Sequence, residues 1–280
     1  MVLFLVPTAL LMVGLLVLME GSAVVGLLLG QREQEHHGGL RESSGVLQGA
    51  LLGFMGLLLA FGLSLALGRY EARRAAVVDD ANTIGTTYLR AQTLSEPMRS
   101  RSLRLLVKYA DVELRLTDEE PGGDAADAII AEGSALQRRL WASAVRAVRE
   151  EPTASAPRLY EESLNTMIDQ QTVRVTGLSN RVPTEVLLLE LIGSAIAMFL
   201  VGLHVGLLGR GLTPLLLAAG LVAFLLFVTF DLDRPTRGFI EIPDTPLTDL
   251  RASMDEPPVA GASQRESAHS EALPVASHAP

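Results

Sequence analysis

Three ionisable residues lie inside otherwise apolar stretches of this sequence: Glu20, Glu190 and His204. A charge in lipid is costly, so an acid or histidine held there is a candidate for ion handling. Glu20 is the strongest. It stands beside Gly21 and Ser22 with apolar residues on both sides, placed to face a pore, to pair with a polar group on another helix, or to stay protonated. His204 joins it as a candidate intramembrane polar site, and also reads as a neutral, hydrogen-bonded residue near the end of its stretch. Glu190 lies about one turn inside its stretch, within reach of headgroups, and reads as an anchoring acid.

A second group stands at 231–237, where "DLDRPTR" follows an apolar run. An acid at a helix C-terminus opposes the macrodipole unless it has a partner. Pro235 disfavours helix at Arg234, so the chain turns there. Asp231, Asp233, Arg234 and Arg237 form a candidate juxtamembrane clamp, with Asp231 or Asp233 paired to Arg69, Arg73 or Arg74. The bland alternative is a solvated stop signal. The loop residues Glu33, Glu35, His36 and His37 lack metal-ligand spacing and read as solvated. Arg99, Arg101, Arg104 and Lys108 form a basic run, read either as a contact for anionic headgroups or as a solvated face paired with nearby acids.

Positioning these residues requires membrane helices. The chain has 280 residues, 49% of them hydrophobic, with mean hydropathy +0.32. The apolar residues are clustered at 2–29, 46–67, 186–208 and 212–230, lengths that span a bilayer core. The first stretch lacks a basic flank and a clear cleavage site, so it reads as a span rather than a signal peptide. The stretches pair into two hairpins around a polar middle segment. The expected fold is an all-α integral membrane protein, with four transmembrane helices in two hairpins flanking a cytoplasmic helical bundle. Its parts are a first hairpin at 1–68, a cytoplasmic helical domain at 69–185, a second hairpin at 186–230, a juxtamembrane segment at 231–251 and a disordered acidic tail at 252–280.

The middle segment reads as helices. Ser95 is a candidate N-cap, with Leu103, Leu106, Ala110 and Leu114 on one stripe and Ile129, Leu136, Leu140 and Val148 on the next. "PGGD" at 121–124 and "EEPTASAP" at 150–157 are breaks. Small residues recur every four positions at Ser22, Gly26 and Gly30, and again at Gly45, Gly49 and Gly53. This spacing lets helix backbones approach closely. The two sets pack on each other or line an oligomer interface, and Gly202 and Gly206 invite the same pair of readings.

Seven arginines flank the middle segment and the tail, against Arg32, Arg41 and Arg210 on the other side. The positive-inside rule therefore puts both termini and the middle segment in the cytoplasm. From residue 231 onward there are 4 basic and 9 acidic residues, which argues against nucleic-acid binding. The absence of cysteine excludes disulfides and thiolate sites. No nucleotide loop, H-E-x-x-H or G-x-S-x-G is present. The expectation is a protein that is not an enzyme and carries no cofactor or metal.

"DDANTIGTTYLRAQTLSEPMRSRSLRLLVKYADVEL" (79–114) and "DLDRPTRGFIEIPDTPL" (231–247) resemble a bacterial membrane family labelled bestrophin-like, a domain of unknown function. Bestrophins proper are pentameric anion channels with four membrane helices and a cytosolic helical part. The resemblance therefore implies a bacterial inner-membrane homo-oligomer that passes small ions through the lipid bilayer. The alternative is a non-transporting sensor or scaffold that binds a cytoplasmic partner.

Overall fold

A computed structural model describes residues 7–34, 41–209, 211–234 and 238–257, with side chains from 7–33 and from 48 onward within those ranges. Helix is the regular structure throughout the described residues. In chain order the elements are α1 (Thr8–Gln34), α2 (Arg41–Ala91), α3 (Met98–Thr117), α4 (Asp124–Glu150), α5 (Ser155–Ser179), α6 (Thr184–Leu207), α7 (Leu212–Leu232) and α8 (Thr245–Ser253). Four apolar stretches, in α1, α2, α6 and α7, are long enough to cross a membrane. The chain divides into two compact units, one of residues 1–72 with 180–242 and one of residues 73–179 with 243–280. The helix α2 begins in the first and ends in the second.

The first unit holds the apolar helices. On α1 the residues Leu11, Leu15, Met19, Ala23 and Leu27 are buried. Their spacing of four keeps them on one face of the helix. They pack into one cluster with Leu187 and Met198 of α6 and with Leu215, Ala219, Ala223, Leu226 and Phe230 of α7. The glycine stripes set the distance between α1 and α6. A Cβ on Gly26 would lie 2.0 Å from the Phe199 carbonyl oxygen, and one on Gly30 would lie 2.1 Å from that of Leu203. Reciprocally, a Cβ on Gly202 would lie 2.0 Å from the Ala23 oxygen, and one on Gly206 would lie 2.3 Å from that of Leu27. Backbone therefore rests on backbone, an arrangement open only to glycine at these positions. Both numberings rise together along the contact, so α1 and α6 run parallel.

This corrects the expected partner of the α1 stripe. Gly26 and Gly30 close on α6, whereas nothing among the described residues lies within 4 Å of a Cβ built on Gly49 or Gly53. The surroundings of Gly45 lie outside the described residues. A four-residue glycine spacing marks a helix that can be approached closely, but it does not say by which helix. The matching stripe on α6 decides that.

The second unit is built from the end of α2 with α3, α4, α5 and α8. Both breaks fall where turn residues stand, and Gly122 takes a φ of 80° that favours glycine. Helix α3 starts at Met98 rather than being capped by Ser95. Glu96 does that work instead, accepting from the Ser100 backbone N–H at 3.3 Å and from its hydroxyl at 2.7 Å. The buried faces are more polar than an apolar stripe suggests. Leu103, Leu114, Ile129 and Val148 are half-exposed, while Ser102, Glu113, Gln137 and Ser143 are buried.

Helix α8 lies across the boundary expected between juxtamembrane segment and tail. It starts with Pro246 in its first turn, buries Leu247, and is followed by buried Met254. Arg251 Nε donates to Asp111 at 2.6 Å, and the Tyr88 hydroxyl donates to the Met254 carbonyl at 3.2 Å. Residues 258–280 of the expected tail lie outside the described residues.

Candidate functional site

Glu190 of α6 is an enclosed acid. It is 1% exposed, and neither carboxylate oxygen finds a hydrogen-bond partner among the described residues. The carboxylate occupies the space that a side chain at position 62 would take. A Cβ on Gly62 would lie 1.6 Å from Oε1. One turn along α6, Ser194 is also 1% exposed with its hydroxyl unpartnered. Glu190 and Ser194 thus share one helix face, and Gly62 of α2 leaves a notch for the acid. A chain selected for stability alone would place an apolar residue here, because burying an unpartnered carboxyl is costly. The arrangement suits transient contact with a proton or a cation.

The sequence-based ranking of acids changes accordingly. Glu20 is half-buried, and nothing lies within 4 Å of a Cβ on its neighbour Gly21. His204 is half-buried and has an interaction of its own. In the parallel register Glu20 precedes, and His204 follows, the contact between Ala23 and Gly202, so they stand at different levels of the bundle. In the sequence Glu190 reads as an anchoring acid because its place there gives only its depth. The facing glycine, far away in sequence, is what encloses it.

At the end of α7 the acids meet backbone. Asp231 is fully buried. Its carboxylate accepts from the Phe239 N–H at 3.0 and 2.9 Å and from the Ile240 N–H at 2.9 Å. Two successive N–H groups aimed at one carboxylate form an anion-binding nest, which offsets the unfavourable macrodipole. The returning chain also places Phe239 edge-on against Phe227, with ring centroids 6.0 Å apart. Asp233, also buried, accepts from the Val182 N–H at 2.9 Å, tying the entry of α6 to the exit of α7. For Asp231 the expected arginine partner is therefore replaced by main chain. Arg69 donates to the Asn180 side chain, and Arg73 Nε donates to the Gly177 carbonyl at 3.3 Å. Arg234 is buried and has an interaction of its own. Arg237 lies outside the described residues. Asp231→Ala would leave buried N–H groups unpaired, so a loss of about 2 kcal/mol is expected in thermal unfolding, with faster proteolysis at 238–240.

The second unit has a buried ionic network at its centre. Arg174 Nη1 donates to Asp80 at 2.8 Å and to Glu113 at 2.7 Å, and Nη2 donates to the Glu113 carbonyl oxygen at 3.1 Å. Gln171 donates to the other Glu113 oxygen at 2.6 Å. Gln137 donates to both Gln171 and Tyr109. One residue from α2, two from α3, one from α4 and two from α5 thus meet in a site closed to water. Two carboxylates share one guanidinium, so burial raises both. Glu113 is pushed up to about 7 by desolvation and by the charge of Asp80, against the pull of Arg174. Asp80 is raised by desolvation, which outweighs Arg174. Tyr109 is raised by burial and by Glu113. The enclosure suits a structural or proton-responsive role. Reasoning from sequence missed these residues because buried polar groups interrupt the apolar stripes by which helices are read.

A family model described as the Bestrophin-like domain matches residues 10–247. The chain belongs to that family. The match runs from α1 into α8, so this bestrophin-like chain carries both the Glu190 notch and the ionic network inside its family domain. Searches of curated proteins and of solved structures return no match.

Proposed function

We propose that this bestrophin-like chain is a subunit of an oligomeric membrane channel or transporter for small ions, with no enzymatic activity. The observation that carries the reading is Glu190, an acid enclosed among apolar helices with no hydrogen-bond partner among the described residues. Intramembrane acids of this kind mark ion and proton pathways. The family match and the apolar helices support a membrane setting. The α2 stretch supports an oligomer. Only 22% of its most apolar stretch is buried within the chain, against 50% for α7, which leaves its faces for lipid or further copies. The arginine distribution favours a bacterial inner-membrane orientation with the termini and the second unit in the cytoplasm.

Ion flux into liposomes containing the purified full-length chain tests this. The wild type is expected to pass ions, and Glu190→Gln to change the rate by about tenfold, equivalent to about 1.4 kcal/mol. Glu20→Gln is expected to have the smaller effect. Flux no higher than in empty liposomes, across several anions and cations, would favour a scaffold that binds a cytoplasmic partner.

A further inference from the structure

The basic run of α3 resolves into two kinds of residue. Arg99 pairs with Glu96 at 3.0 Å. Arg101, Arg104 and Lys108, at positions i, i+3 and i+7 of one helix face, make no ion pair with any described residue. Arg139 of α4 joins them, also unpaired, and the four cations with Leu105 line one cavity of about 290 Å³. No carboxylate lines it. Its volume is at the small end of the range for small-molecule sites, roughly 300–1,000 Å³. In a chain of net charge −9, four unneutralised cations around one cavity make a local electropositive field.

Arg104 and Lys108 also border a second cavity of about 540 Å³, with Tyr88, Leu103 and Val107 on its apolar side. Its acid, Asp111, is engaged by Arg251 at 2.6 Å. The two cavities therefore share a pair of cations, one cavity cationic and the other largely apolar.

We propose that Arg101, Arg104, Lys108 and Arg139 form a binding site for a phosphate-bearing anion, with the adjoining apolar cavity taking its uncharged part. Three of the four cations are arginines, whose planar forks bind phosphate through two parallel hydrogen bonds. A halide offers one charge and no such geometry. A multiply charged phosphate offsets several cations at once. The chemistry is shared by a soluble organic phosphate and a phospholipid headgroup, and it stands independently of the channel reading.

The test uses the full-length chain in phosphatidylcholine nanodiscs. In one arm, inorganic pyrophosphate is titrated by calorimetry. In the other, hydrogen exchange over 101–108 is compared in nanodiscs with and without phosphatidic acid. Arg104→Gln combined with Arg139→Gln is set against Arg146→Gln combined with Arg149→Gln, a pair on α4 that lines neither cavity. Pyrophosphate binding is expected to weaken at least about tenfold in the first pair and in raised salt, and to stay unchanged in the second. Protection by phosphatidic acid that the first pair abolishes, without pyrophosphate binding, would assign the site to a lipid headgroup. Failure of both arms in the wild type at low salt would overturn the proposal, as would equal weakening by both pairs.

Discussion

Arg174→Met is expected to destabilise the second unit by about 3–5 kcal/mol at neutral pH, the cost of stranding buried charge. Asp80 and Glu113 would be left facing each other without a cation, and the Glu113 carbonyl would lose its guanidinium donor. Thermal unfolding of the full-length protein, followed with hydrogen exchange over α3–α5, reads this out. Acid should restore part of the loss, because protonated carboxyls no longer repel. Arg174→Met with Asp80→Leu and Glu113→Leu should cost much less than the single change, because an apolar cluster of similar volume needs no cation. The wild type should also respond to pH. Glu113 holds its proton up to about 7 when folded, against the usual 4.5. Its contribution is therefore fully present below about pH 4.5 and is lost as the pH rises to about 7. Equal stability of Arg174→Met and wild type would contradict the network's role.

The second large effect is expected at the contact of α1 with α6. Gly202→Ala puts a methyl group 2.0 Å from the Ala23 carbonyl oxygen, and backbone cannot step aside as a flexible side chain can. The helices must part, which loosens Gly26, Gly30 and Gly206 as well. Helix propensity alone favours alanine over glycine by about 1 kcal/mol. Overpacking against backbone costs about 3 kcal/mol, so the clash decides the sign. Gly53→Ala is the matched control, since nothing described lies within 4 Å of that position. It should be neutral or slightly stabilising. Thermal stability in detergent distinguishes them. Equal behaviour of the two variants would show that α1 and α6 do not meet through these glycines.

Much of the architecture is legible in the sequence because lipid imposes a coarse rule. About 20 apolar residues in a row make a span, and four such runs are visible. The breaks in the middle segment are equally plain, since "PGGD" and "EEPTASAP" cannot continue a helix. What the sequence conceals is pairing. Gly26 and Gly30 announce a close contact without naming α6. Asp231 announces a partner, and an arginine is the obvious guess, yet the partner is the main chain at Phe239 and Ile240, whose N–H groups carry no sequence signal. Glu190 looks like an interfacial acid until Gly62 is set opposite it. Asp80 and Glu113 lie within the stretch 79–114 on which the family resemblance rests. Their shared partner Arg174 lies outside it, and only the packing of α5 brings it between them.

Ion conduction is tested most directly by recording current across a planar bilayer containing purified full-length protein. Discrete unitary currents are expected for the wild type, with altered amplitude or open time in Glu190→Gln and with both proteins of equal oligomer size in detergent. A silent wild-type bilayer, with the protein shown to be folded and inserted, would contradict the ion-channel reading. Currents indifferent to Glu190→Gln would remove Glu190 from the ion path.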